Sequence, residues 1–109
     1  AHGDINLITV LPAGSQTGLQ VQTQSGKWVD VKCNPERLII NSGDMLNECS
    51  GGYYPSTIHR VINPKGKSAQ LSRYTMPVFL HPRDEVILSR KYTAKSFLDE
   101  RLIEIGLKS

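Results

Sequence analysis

Turn-forming residues cut this chain into short apolar runs, and that punctuation constrains the fold more than any other feature. Gly18, Ser25-Gly26, Asn34-Pro35, Ser42-Gly43, Gly51-Gly52, Asn63-Pro64-Lys65-Gly66 and His81-Pro82 recur at intervals of roughly eight to fifteen residues. Between them lie runs rich in β-branched and apolar side chains, at residues 4–11, 19–23, 28–31, 38–41, 57–62, 69–80 and 86–88. Runs this short and this regularly broken favour a sandwich or barrel over alternating β and α units. Two stretches depart from the pattern. Asp44 is an expected cap for a single turn formed by Met45, Leu46, Asn47 and Glu48. Behind a second expected cap, Thr93, the residues Phe97, Leu98, Arg101, Leu102 and Ile105 recur at helical spacing before Gly106. The chain therefore reads as mainly β with a C-terminal amphipathic helix. That helix is expected to pack on the β domain and not on a membrane, because Asp99, Glu100 and Glu104 make its polar face acidic.

A length of 109 residues suits one domain spanning 1–109 with a modest core. Its net charge of +3 comes from 13 basic and 10 acidic residues scattered without blocks, so no nucleic acid is expected as a partner. Lys65, Lys67 and Arg73 read together as a solvated turn and not a phosphate patch. No apolar run approaches the roughly 20 residues of a membrane span, and no charged-then-apolar leader opens the chain. Cys33 and Cys49 form no CxxC, so neither zinc nor a disulfide is expected and a cytoplasmic location follows. Ala1-His2-Gly3-Asp4 enters a strand-like run without a start signal, from which a domain truncated on its N-terminal side is expected.

On a strand, residues two apart share a face, so His2 and Asp4 would present an imidazole and a carboxylate together across Gly3. A third ligand would have to come from His59 or His81, the other two histidines. His59 is preferred because its β-rich surroundings, Thr57 to Val61, place it on a strand, whereas His81 precedes a proline and reads as a turn residue. Two imidazoles and one carboxylate leave open positions on a metal and suit Fe(II) that must also bind a chelating co-substrate and O2. On spacing alone, the same residues fit a polar terminus and a core histidine equally well.

The surrounding motifs add a resemblance across most of the chain. His2-Gly3-Asp4 looks like an HxD metal motif, and Asn41-Ser42-Gly43-Asp44 resembles an NxGD turn. Residues Tyr54 to Val61 are similar to a YxSxxHRV segment, and Arg73-Tyr74-Thr75 sits where an RxS would stand. Together they resemble the C-terminal half of iron/2-oxoglutarate-dependent dioxygenases of the isopenicillin N synthase-like family. The resemblance implies a double-stranded β-helix, a cupin-like jelly roll, with His2, Asp4 and His59 as Fe(II) ligands. It implies no catalytic residue beyond those ligands. Arg73 and Thr75 would take the distal carboxylate of 2-oxoglutarate, the first through a bidentate pair and the second through its hydroxyl. Thr75 replaces the family's usual serine, and its extra methyl would narrow that pocket. The implied reaction consumes O2 and 2-oxoglutarate, releases succinate and CO2, and hydroxylates or desaturates a small organic molecule.

Several neighbours carry plainer expectations. Trp28 reads as a strand packing residue, Arg60 as a structural ion pair facing away from His59, and Met76, Val78 and Leu80 as core. A start at Ala1 would leave an unpaired strand edge beside His2, open to self-association, with weak turnover by the isolated chain. The rival expectation is a non-catalytic jelly-roll module that binds a metal or a carboxylate.

Overall fold

Alternation of side chains along a strand forces each apolar run to commit its two faces to different surroundings. The computed structural model describes residues 1–12, 18–32, 34–62 and 76–109. Its elements run β1 (Ile8–Pro12), β2 (Leu19–Gln22), β3 (Trp28–Asp30), β4 (Leu38–Ser42), α1 (Asp44–Cys49), β5 (His59–Val61), β6 (Val78–Leu80) and α2 (Ala94–Glu104). They form two antiparallel three-stranded sheets, ordered β4-β1-β6 and β3-β2-β5. The chain is thus mainly β with a C-terminal helix.

Register assigns the faces. Thr9 lies opposite Asn41 on one side and Phe79 on the other, and Val21 lies opposite Val29 and His59. Thr9, Leu11, Asn41 and Phe79 of the first sheet and Leu19, His59 and Val61 of the second line one cleft. One residue along, Val10 pairs with Ile40 and Val78, and Ile8 with Leu80, on the opposite face of the first sheet. This corrects the expectation that Met76, Val78 and Leu80 are core, since they are 79%, 55% and 43% exposed. Period two turns Val78 and Leu80 away from the cleft, and composition alone cannot say which face of an apolar strand is covered.

The core sits behind the first strand. Met45 of α1, Leu88, and Ala94 and Phe97 of α2 form a buried cluster, with Ile5, Leu7, Tyr92 and Leu98 packed against it. Burying Met45 and Phe97 contributes roughly 1.5–3 kcal/mol each. Phe97 also meets the Tyr92 ring edge-to-face at 5.1 Å and lies under the Arg101 guanidinium at 4.8 Å. Of the expected stripe of α2, Phe97 and Leu98 pack on the rest of the domain whereas Ile105, the C-cap, is 59% exposed; Thr93 is the N-cap. The Thr93 hydroxyl accepts from the Ser96 amide at 3.2 Å, and the Ser96 hydroxyl accepts from the Thr93 amide at 3.0 Å.

Other expectations shift. Gly43, not Asp44, is the N-cap of α1, and Asp44 becomes its first helical residue. A side chain at position 43 would collide with Asn6, so only glycine fits where the turn enters the helix. Residues 86–88 form no strand, only a bridge from Ile87 to Thr93. Arg60 faces away from His59, but among the described residues its partners are Gln20 Oε1 at 2.9 Å and the Trp28 ring at 3.9 Å, not an acid. Trp28 packs on a strand pair, against that arginine. No helix of the described residues is long and apolar enough to cross a membrane. Cys33 and the basic stretch at Lys65 and Lys67 lie outside the described residues; Cys49 is a free, exposed thiol.

Candidate metal centre

Main-chain pairing builds this site. His2 is not on a regular strand, which corrects the expectation for residues 4–11: β1 begins only at Ile8, and residues 5–7 bend. Instead His2 forms a single antiparallel bridge with His59, its amide donating to the His59 carbonyl at 3.0 Å and its carbonyl accepting from the His59 amide at 2.9 Å. Residues that exchange both bonds stand directly opposite each other, with their side chains on the same face. The two imidazoles consequently stand edge-to-face with centroids 4.4 Å apart. His2 is in this way tied to β5.

Asp4 is brought in by a different element. The amides of Asp44 and Met45, at the start of α1, donate to the carbonyls of Asp4 at 2.8 Å and Ile5 at 3.1 Å, and the Gly43 amide donates to Leu7 at 2.9 Å. The first turn of a helix has amides without helical partners, and here they hold the bend that carries the carboxylate. Asp4 Oδ1 faces His2 Nε2 at 3.8 Å and His59 Nε2 at 3.7 Å. One ligand atom from each of the three residues lies within 4.8 Å of the others. The side chains of Asp4 and His59 are 11% and 12% exposed, while that of His2 is 67% exposed, so the group opens to solvent on the His2 side.

Hydrogen bonding also sets the imidazole's chemistry. His59 Nδ1 lies 3.1 Å from the Thr57 carbonyl, which can only accept, so this nitrogen carries the proton. Nε2 is left with its lone pair toward Asp4, the arrangement that metal-binding histidines adopt. The Thr57 hydroxyl pairs with that of Ser42 at 2.9 Å, and Ser42 donates to the Pro55 carbonyl at 2.6 Å, which fixes the segment before β5. Two imidazole nitrogens and a carboxylate form a donor set that fits Fe(II).

The cleft at this group holds about 190 Å³, with apolar walls from Leu11, Leu19, Val61 and Phe79. His81 is not part of the group; it lines a neighbouring hollow with Gly3, Asp4 and Leu98. Arg73 and Thr75 lie outside the described residues. Sequence reasoning missed Thr9 and Asn6, both buried beside Asp4. Their only signal was two polar residues in an otherwise apolar run, five and two positions after Asp4.

Comparisons with known proteins identify the family. The chain is 56% identical to a proposed oxygenase from Shewanella oneidensis, whose crystal structure it matches with a TM-score of 0.89 over 97% of this chain and 39% of that one. It is 42% identical over 64 residues to the 2-oxoglutarate-dependent dioxygenase citB of Monascus ruber, covering 58% of this chain and 20% of the relative. It is 41% identical over 85 residues to the flavonol synthase/flavanone 3-hydroxylase of Petunia hybrida, covering 78% of this chain and 23% of that enzyme. The chain thus spans only about a fifth of the length of these two curated relatives. The model of the 2OG-Fe(II) oxygenase superfamily matches residues 1–82, so the chain belongs to that superfamily.

Proposed function

We propose that this chain carries the Fe(II) and 2-oxoglutarate site of an oxygenase that hydroxylates or desaturates a small organic molecule. The observation that carries this reading is the convergence of His2 and Asp4, from the N-terminal segment, with His59 of β5 on one apolar-walled cleft. Bound there, Fe(II) would supply the activation of O2 that is coupled to decarboxylation of 2-oxoglutarate. The chain's own share is positional. His59 Nδ1 is held on the Thr57 carbonyl so that Nε2 turns toward Asp4, Asp4 offers Oδ1 toward both imidazoles, and Leu11, Leu19, Val61 and Phe79 give the cleft apolar walls. Arg73 and Thr75, at the RxS position of the sequence, are assigned the distal carboxylate of 2-oxoglutarate.

The same reading takes the 109 residues as one jelly-roll domain of isopenicillin N synthase-like type, acting in the cytoplasm on a small molecule and not on nucleic acid or a membrane. The two facing sheets support the jelly roll, and the scattered charge supports the choice of partner. Self-association is assigned, as the sequence suggested, to an unpaired strand edge beside His2.

Anaerobic addition of Fe(II) and then 2-oxoglutarate tests the function. A weak visible charge-transfer band is expected, absent in His59→Ala, with Arg73→Ala needing far more 2-oxoglutarate while binding Mn(II) normally. No band at saturating 2-oxoglutarate would leave the non-catalytic binding module in its place.

A further inference from the structure

Asp4 has two carboxylate oxygens, and the structure treats them differently. Oδ1 faces both imidazoles, whereas Oδ2 accepts a hydrogen bond from the Thr9 hydroxyl at 2.6 Å. That length belongs to a charge-assisted O–H···O⁻ bond, roughly twice as strong as a neutral one. Thr9 is 3% exposed and cannot trade this bond for water.

The hydroxyl proton has two acceptors in reach, Asp4 Oδ2 at 2.6 Å and Asn6 Oδ1 at 3.4 Å, and the shorter contact to a charged oxygen wins. Asn6 reinforces that direction. Its Nδ2 donates to the Ile8 carbonyl at 2.7 Å and to Thr9 Oγ1 at 3.2 Å, filling a lone pair of the hydroxyl so that its own proton points to Asp4. Asn6 is 2% exposed, and its backbone carbonyl accepts from the Met45 amide at 3.2 Å. The path therefore runs from the start of α1 through Asn6 and Thr9 to one oxygen of Asp4.

We propose that Thr9, held by Asn6, is a positioning residue that occupies Asp4 Oδ2 and so presents Asp4 to the metal through Oδ1 alone. This rests on the assignment of His2, Asp4 and His59 as ligands. A carboxylate free to turn would offer both oxygens and take up room that a chelating co-substrate needs. Thr9 prevents the turn without touching metal or substrate.

The test is Mn(II) affinity, followed by the loss of the free-ion electron paramagnetic resonance signal, with the melting temperature of each variant in chelator as the folding control. Thr9→Val keeps the shape and removes the hydroxyl; its affinity should fall about 10–100-fold, the usual effect of losing a group that orients a ligand. Thr9→Ser keeps the hydroxyl and should stay within about twofold of the parent, within the ordinary scatter for a retained bond. If Thr9→Val does not fold, Thr9→Ala takes its place with the same expectation. Unchanged affinity in the hydroxyl-free variant, or an equal loss in Thr9→Ser, overturns the proposal. Asp4→Ala separates the two readings: if it too binds Mn(II) like the parent, the ligand assignment itself fails, whereas loss in Asp4→Ala alone removes only the role of Thr9.

Discussion

Replacing Gly43 with alanine should destabilise the fold by collision alone. The backbone there has φ −105° and ψ 180°, which alanine adopts freely. A Cβ, however, would stand 2.0 Å from the Asn6 carbonyl oxygen and 2.8 Å from its carbon. Opening the first contact to 3.0–3.4 Å requires about 1.0–1.4 Å of movement between two backbone segments. Those segments are joined by the bonds from Gly43 to Leu7 at 2.9 Å, from Asp44 to Asp4 at 2.8 Å, and from Met45 to Ile5 at 3.1 Å. Separation by that much stretches these bonds beyond useful length. Overpacking costs about 1–3 kcal/mol, and each lost bond about 1 kcal/mol. A net loss of about 3 kcal/mol allows for partial relaxation and corresponds to roughly 12–24 °C in a domain of this size. Alanine would by itself stabilise through the unfolded chain by about 0.4–1 kcal/mol, so a net loss has to come from the collision. Thermal denaturation of Gly43→Ala in chelator measures it, beside Gly106→Ala, where nothing lies within 4 Å of the new Cβ and only the φ of +80° is unfavourable. Mn(II) affinity should fall along with stability, because the same bonds hold Asp4. Melting of Gly43→Ala within about 3 °C of the parent, less than the shift for 1 kcal/mol, would refute this account of the turn.

Three further outcomes follow from the same contacts. Thr93→Ala removes the acceptor for the Ser96 amide and should cost about 1 kcal/mol, read as a fall of roughly 4–8 °C in melting temperature. Met45→Ala empties a site 1% exposed at the centre of the core and should cost about 2–5 kcal/mol, measured by urea denaturation. The hydrogen bonds from Lys108 and Lys95 hold the Asp99 carboxyl below its ordinary value. A depressed carboxyl stabilises the fold above its unfolded pKa and loses that contribution as pH falls through its folded one. Asp99→Asn should therefore melt below the parent at pH 7, with the gap closing as the pH drops below about 4.

The sequence by itself determined the fold class and the chemistry on offer. Turn residues at short intervals required a mainly β chain, because Gly26 and Gly51-Gly52, at positive φ, turn where other residues would be strained. Thr93 marked the start of α2 because its hydroxyl can accept the Ser96 amide locally, without help from the rest of the molecule. The motif residues also named His2, Asp4 and His59. What the sequence could not supply was how they meet. Period two on one strand was the wrong reason for joining His2 to Asp4, since no regular strand runs through them. Tertiary pairing joined His2 to His59 across 57 positions, and the amides of α1 placed Asp4 between them. The same limit hid the exposure of Val78 and Leu80 and the bond from Thr9 to Asp4. Which face of a strand is covered, and which hydroxyl reaches a carboxylate, depends on partners distant in the chain, and residue type alone does not encode them.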